Sequence, residues 1–291
     1  MSTTEANDVE TQEEEVARPA TINVRVLRQE GPGLPSYWER HQVSYEENMN
    51  VISVLQHIAA NAQTVEGKEV PPVAWDCGCL EEVCGSCTMV INGSVRQSCS
   101  ALVDRLLEEN PNEIELRPMT KFPVVRDLVI DRSRLFSGLQ RVQAWVPADS
   151  YYDMGPGPTQ SRSAQEEAYP LSQCMSCGCC LEACPQYQKI ELSRQPGETD
   201  EEFEARKQAA HDEAFLGAAP ISQAVLFNAH PTGKNLKDER MEALTGPGGV
   251  AACGNAQNCV AVCPKEIPLT TSIGKAGRAA TVHSLKKMFD R

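Results

Sequence analysis

Between Thr21 and Gln29 the apolar residues Ile22, Val24 and Val26 alternate with polar neighbours, the two-residue period of a strand with one buried face. A second strand-like run, YWERHQVSYEE, follows closely enough to pair with it. From Val51 to Ala62 the period lengthens: Val51, Leu55, Ile58 and Ala62 share one helical face, with Asn50 as the N-cap. The stretch TMVINGSVRQSC sets Asn92-Gly93 between two strand-like runs, the strongest short-range hairpin signal, and so carries Cys99 back toward Cys87. Strand patterning persists through IELRPMTKFPVVRDLVI and then yields to helical spacing in LFSGLQRVQAW, followed by the Pro-, Gly- and Tyr-rich loop VPADSYYDMGPGPTQ. Beyond it, AAPISQAVLFNAH and TSIGKAGRAATVHSLKKMF read as helices. The pattern predicts an α+β chain, a small mixed sheet with one helix and then a mainly α module. The expected division is residues 1–20, 21–125 and 126–291, with the change of pattern spread over about 120–145.

Composition adds a tail and removes some functions. The first 20 residues carry six acids and one arginine with almost no large apolar side chain, which reads as a disordered, solvated segment. They have neither the basic start nor the apolar core of a secretory signal, so the expected site of action is inside the cell. A net charge of −13 and the lack of any basic, aromatic-interleaved patch argue against a nucleic-acid partner. No window reaches the 18 or so apolar residues of a membrane span, so contact with a membrane is expected only through a partner.

The thirteen cysteines change the picture most. In a reducing compartment they are expected to be thiols or metal ligands, and their odd number points the same way. Cys79, Cys84 and Cys87 follow C-x4-C-x2-C with Cys99 downstream, the plant-type [2Fe-2S] spacing. In CMSCGCCLEACP, Cys174, Cys177, Cys180 and Cys184 satisfy C-x2-C-x2-C-x3-C-P, the run whose fourth cysteine serves a second cluster. CGNAQNCVAVCPK repeats that motif with Cys253, Cys259 and Cys263-Pro264, but Ala256 stands where its second cysteine belongs. If the two runs cross-ligate, Cys174, Cys177, Cys180 and Cys263 hold a [4Fe-4S] cluster. Cys184, Cys253 and Cys259 are then left to hold a [3Fe-4S] cluster, because alanine cannot bind the fourth iron. Cys77 and Cys179 fall outside the register and read as non-ligating thiols. The alternative of structural zinc needs closed sets of four ligands, which the run of four in cluster spacing does not suggest. With no catalytic acid, base or nucleophile signature, the sequence reads as a conduit for single electrons.

These motifs together carry a family resemblance over residues 21–280. A plant-type ferredoxin module with CLEEVCGSC and Cys99, followed by a helical bacterial-ferredoxin module with CMSCGCCLEACP and CGNAQNCVAVCPK, resembles the iron-sulfur subunit of succinate dehydrogenase and fumarate reductase. The resemblance implies a β-grasp first module and a flavoprotein partner that oxidises succinate at FAD. It also implies membrane-anchor partners and electron flow through [2Fe-2S], [4Fe-4S] and [3Fe-4S] to quinone. The chain would then sit peripherally at the cytoplasmic face of the cell membrane. A fumarate reductase subunit working in reverse, or the iron-sulfur subunit of another flavoprotein dehydrogenase, would share these ligands. Many members place His after the first cysteine of the third motif and Trp five residues after the fourth cysteine of the second. Here those positions are Gly254 and Lys189, so the familiar ubiquinone contacts do not carry over. CLEEVCGSCTMVINGSVRQSC and CGNAQNC are more similar to the menaquinone-linked branch, whose anchors often carry haem.

Other residues weigh less. His230 reads as a surface or capping residue after a helix, and Lys265 as a solvated lysine beside the last cysteine. Lys275, Arg278, Lys286, Lys287 and Arg291 read as a solvated basic face, with anionic lipid headgroups as the alternative partner.

Overall fold

A computed structural model describes residues 19–147 and 158–289. The expected acidic tail before Pro19, and residues 148–157 of the VPADSYYDMGPGPTQ loop, lie outside the described residues.

The alternating run forms β1 (Thr21–Arg28), which pairs antiparallel with β2 (Tyr37–Ser44). Its inward positions Ile22, Val24 and Val26 are fully buried. Helix α1 (Val51–Ala60) is capped by Asn50, whose side chain accepts from the Ser53 amide, and it buries Val51, Val54, Leu55 and Ile58. It ends earlier than the period suggested: Asn61 is the C-cap, and Ala62 lies half-buried beyond it. The Asn92-Gly93 turn joins β3 (Thr88–Ile91) to β4 (Ser94–Gln97), with both turn residues at positive φ as a tight hairpin of this twist requires. Helix α2 (Val103–Glu109) leads to β5 (Ile114–Arg117), which runs parallel to β1 and antiparallel to β3. The sheet order β2-β1-β5-β3-β4 encloses one core with α1 and α2.

A short ribbon, β6 (Val124–Arg126) and β7 (Val129–Ile130), joins the two halves. Leu128 packs into the sheet core, while Met119, Phe122, Val124 and Ile130 belong to the helical core, so the chain weaves between the two. Helices follow: α3 (Ser133–Arg141), α4 (Arg162–Ser172), the single turn α5 (Cys179–Glu182), α6 (Asp200–Glu213), α7 (Ala218–Ala229), α8 (Lys237–Thr245), the single turn α9 (Asn258–Ala261) and α10 (Leu269–Phe289). The small-residue helix α7 is the hub, packing against α3, α4, α5, α8 and α10. Helix α6 escaped the hydrophobic pattern because it buries no residue. Its signal was the capping box, in which Thr199 and Glu202 satisfy each other's backbone amides. Among the described residues no helix is long and apolar enough to cross a membrane.

Candidate metal centres

All thirteen cysteines are free thiols, and they lie in three neighbourhoods, with Cys77 beside Cys84 in the first and Cys179 beside Cys177 and Cys180 in the second. The first group lies on the loop before β3. Leu80, Glu82 and Gly85 all take positive φ, curling the backbone so that its amides face inward. The Cys79 sulfur accepts from the amides of Glu81, Val83 and Cys84 at 3.2–3.4 Å, and the Cys84 sulfur accepts from those of Cys79 and Ser86 at 3.4 and 3.5 Å. The Ser86 side chain and these amides hold the Cys84 thiol down to about 6, close to the thiolate that binds metal. Cys87 and Cys99 form the buried side of the group. They are brought together by the β3–β4 hairpin through a Ser98 amide bond to the Cys87 carbonyl. Burial, and then Cys87, push the Cys99 thiol up to about 11.

The other groups come from two copies of one backbone. In the first, Ser176 and Gly178 take positive φ and α5 begins at Cys179. In the second, Asn255 and Gln257 take positive φ and α9 begins at Asn258. The hydrogen bonds repeat in register: the Leu181 amide donates to Gly178 and that of Cys184 to Leu181, as Val260 donates to Gln257 and Cys263 to Val260. This register sets Cys174 against Cys253, Cys180 against Cys259 and Cys184 against Cys263. Ala256 falls on the backbone slot of Cys177.

The copies pack α5 against α9, and their cysteines cross. Cys174, Cys177, Cys179, Cys180 and Cys263 line one cavity, and Cys184, Cys253 and Cys259 line another together with Ala256. Among the described residues no group of three or more His, Cys, Asp or Glu side chains is drawn together as around a single ion. Burial raises the Cys174, Cys180 and Cys259 thiols, so forming their thiolates calls for cationic charge within the cavity. The Cys177 thiol is held at about 7, first by a hydrogen bond from the Cys179 side chain. All-thiolate cradles with inward amides fit iron-sulfur clusters, whose iron supplies that charge.

Residues from distant parts of the chain lock the groups together. The Arg132 guanidinium donates to the Gly85 and Ser86 carbonyls, both at 2.7 Å. The Glu182 carboxylate accepts from the Thr120 amide, the Thr120 hydroxyl and the Lys121 amide, fastening α5 to the strand that leaves the sheet. The Gln97 amide nitrogen donates to the Cys179 sulfur at 3.3 Å across the junction.

Residues 23–137 match the family of 2Fe-2S iron-sulfur cluster binding domains, and residues 170–267 that of 4Fe-4S dicluster domains. The succinate dehydrogenase iron-sulfur subunit of Bacillus subtilis is 48% identical over 269 residues, covering 92% of this chain and 96% of that one. The chain belongs to the succinate dehydrogenase iron-sulfur subunit family. A fumarate reductase iron-sulfur subunit from Wolinella succinogenes is 26% identical over 256 residues, 87% of this chain and 94% of that one. A chain of the Mycobacterium smegmatis Sdh1 complex in its apo form shares the fold, with a TM-score of 0.65 at 19% identity over 89% of this chain and 95% of that one. As a succinate dehydrogenase iron-sulfur subunit, the protein is the electron-transfer part of an oxidoreductase complex, a 2Fe-2S domain followed by a 4Fe-4S region.

The lesser positions now have places in this succinate dehydrogenase subunit. A side chain at Gly254 would meet the Gln186 amide nitrogen at 2.6 Å, so Gln186 fills the room a histidine there would take. Lys189 pairs with Glu191. His230 caps α7, its Nδ1 accepting from the Thr232 and Gly233 amides. The basic face of α10 is solvent-exposed and partly neutralised, Lys275 pairing with Glu167 and Lys287 with Glu242, while Arg291 lies outside the described residues. Sequence reading missed Gln97, Arg132 and Glu182, which carry no motif and act on residues 46 to 82 positions away.

Proposed function

We propose that this chain carries single electrons from the FAD of a partner flavoprotein to a membrane quinone, as the iron-sulfur subunit of a succinate:quinone oxidoreductase. In this reading Cys79, Cys84, Cys87 and Cys99 hold [2Fe-2S], and Cys174, Cys177, Cys180 and Cys263 hold [4Fe-4S]. Cys184, Cys253 and Cys259 hold [3Fe-4S], and the division between modules falls near residue 125. Bound clusters of these kinds accept and release one electron at potentials spanning roughly −700 to +450 mV, tuned by their surroundings.

The observation that carries the reading is serial order. The Cys79 loop abuts Cys177 of the first cavity, and the crossing of α5 and α9 sets the second cavity beside the first. The exposed side chains of Leu80 and Val83 on the Cys79 loop suit a flavoprotein contact at that end. Gln186 and Gly254 line the other end, where anchor subunits and quinone would meet the chain. The likeness of CLEEVCGSCTMVINGSVRQSC and CGNAQNC to the menaquinone-linked branch favours menaquinone and haem-bearing anchors, and Gly254 and Lys189 leave out the familiar ubiquinone contacts. A peripheral place on the cytoplasmic face of the membrane follows from those partners. The greater identity to a succinate dehydrogenase subunit than to a fumarate reductase subunit, 48% against 26%, favours succinate oxidation.

The test is electron paramagnetic resonance of anaerobic membranes containing the chain. An oxidised [3Fe-4S] signal that succinate abolishes is expected. A signal removed only by a strong chemical reductant would mean that the electron donor is not a succinate-oxidising flavin.

A further inference from the structure

Helix α10 runs for 21 residues, and its inward positions Ser272, Ala276 and Ala280 are buried against the body. Past Ala280 no described residue of the helix is buried. Its last turns are nonetheless held in place: His283 Nε2 and Lys287 Nζ lie 3.3 and 2.7 Å from the Glu242 carboxylate of α8. Those contacts fix the rotation of the helix and turn its opposite side outward. Val282, Leu285 and Phe289 stand on that outer side at i, i+3 and i+7, one row along a helix. Val282 and Leu285 are half-exposed and Phe289 is 85% exposed, with Met288 beside them at 72%. Arg278 and Lys286, four residues before and four after Val282, border the row with cations.

The charge of α10 sets it apart from the chain as a whole. The protein has 40 acids against 27 Lys and Arg, yet α10 contains four Lys and Arg and no acid. Helix α6 supplies an internal control. It too lies at the surface, burying no residue, but it meets water with six acids in 14 residues and exposes no large apolar side chain. An apolar row bordered by Lys and Arg is instead the composition of a helix lying in a membrane interface. A groove on a protein would also take an apolar row. The acid-free border decides between them, because it complements an anionic surface. A chain of net charge −13 is repelled by such a surface unless it presents this face.

We propose that the outer side of α10 is a lipid-contact surface: Val282, Leu285 and Phe289 enter the headgroup region of an anionic membrane, and Arg278 and Lys286 pair with its phosphate groups. The proposal goes beyond the electron-transfer reading and does not rest on the cluster assignment. One short apolar row gives a weak, reversible contact, so it orients a chain that other subunits hold. Ile273, in the second turn of the same helix, lines the second cavity, so the lie of α10 on the membrane sets how that cavity faces it.

The experiment is flotation of the purified full-length chain with two kinds of vesicle, phosphatidylcholine alone and an equal mixture of phosphatidylcholine and phosphatidylglycerol. The parent floats with the mixed vesicles and stays behind with phosphatidylcholine alone. Salt near 1 M, where screening acts within about 3 Å, abolishes the difference. Arg278→Gln and Lys286→Gln each weaken partitioning about fivefold. Val282→Ser, Leu285→Ser and Phe289→Ser combined in one chain remove it. All five positions are exposed, so circular dichroism and visible absorbance stay at parent values and the loss is read on a folded protein. A parent that floats with neither vesicle assigns the face to a protein partner and overturns the proposal. Equal flotation with both vesicles overturns the anionic surface as its partner. Parent-like flotation of the triple variant places the contact elsewhere and overturns it as well. None of these outcomes bears on the succinate-sensitive resonance that tests electron transfer.

Discussion

A Cβ atom on Gly85 would lie 2.7 Å from the Cα of Cys177, so the loop of the first site and the wall of the second touch backbone to backbone. Gly85 also holds φ +72, a left-handed conformation that side chains resist. Gly85→Ala therefore combines about 1–2 kcal/mol of backbone strain with about 1–3 kcal/mol of overpacking. Gly93 has a similar φ of +79 but open space around it, so Gly93→Ala loses only the first of these. Thermal unfolding of the loaded protein separates them. Equal losses in the two variants would show that the contact with Cys177 is not close-packed.

Ala256 shares the backbone slot of Cys177 and lines the cavity of Cys184, Cys253 and Cys259. Ala256→Cys is expected to add one iron per chain, remove the [3Fe-4S] resonance and lower the potential of that site. Iron analysis and paramagnetic resonance check it; an unchanged cluster type would mean that residue 256 is not the missing corner.

Arg132 makes two 2.7 Å bonds to the carbonyls of Gly85 and Ser86 from a position where burial lowers its own pKa. Bonds to a charged group are worth about 1.5–3 kcal/mol each, so Arg132→Ala should bleach the visible absorbance of the first site well before the helices melt. Arg132→Lys, which cannot fork to both carbonyls, should fall between Ala and the parent. Simultaneous loss of colour and helicity in Arg132→Ala would contradict a local role.

Arg28 is buried between Glu39 and Asp127, and Asp127 also accepts from the Gln29 and Ala74 amides. Removing only the cation strands two carboxylates, which costs about 3–5 kcal/mol in such pairs. Arg28→Met should lower the denaturation midpoint accordingly. Arg25→Met, at a half-exposed pair with Glu113 and Glu115, should change stability by about 0–1 kcal/mol. Denaturant titration of both variants decides whether burial controls the difference.

What could be read from the sequence was whatever has a short period. Alternation located β1, the helical period located α1, α7 and α10, and Asn92-Gly93 located the hairpin, because each depends on neighbours a few residues away. The end of α1 was read two residues late, since Ala62 continues the period although the chain has already turned at Asn61. Cysteine spacing marked the candidate ligands for a related reason: a cluster demands sulfurs at fixed intervals along a tight loop. The contacts of Arg132 with Gly85, Glu182 with Thr120 and Gln97 with Cys179 could not be read, because they exist only once the two halves meet. The extra thiol at Cys179 was visible only as a misfit in a motif.

The crossed repeat has a consequence for biosynthesis. The first group of cysteines spans residues 79–99 and is complete when the sheet domain has left the ribosome. The cavity begun by Cys174 is closed only by Cys263, and the cavity begun by Cys184 needs Cys253 and Cys259. Neither cavity has all of its lining cysteines in a nascent chain that stops short of the second copy. A truncation before Cys259 would take Cys263 from one later cavity and Cys259 from the other while leaving the first group of cysteines whole, and the remaining thiols of both later cavities would be open to oxidation.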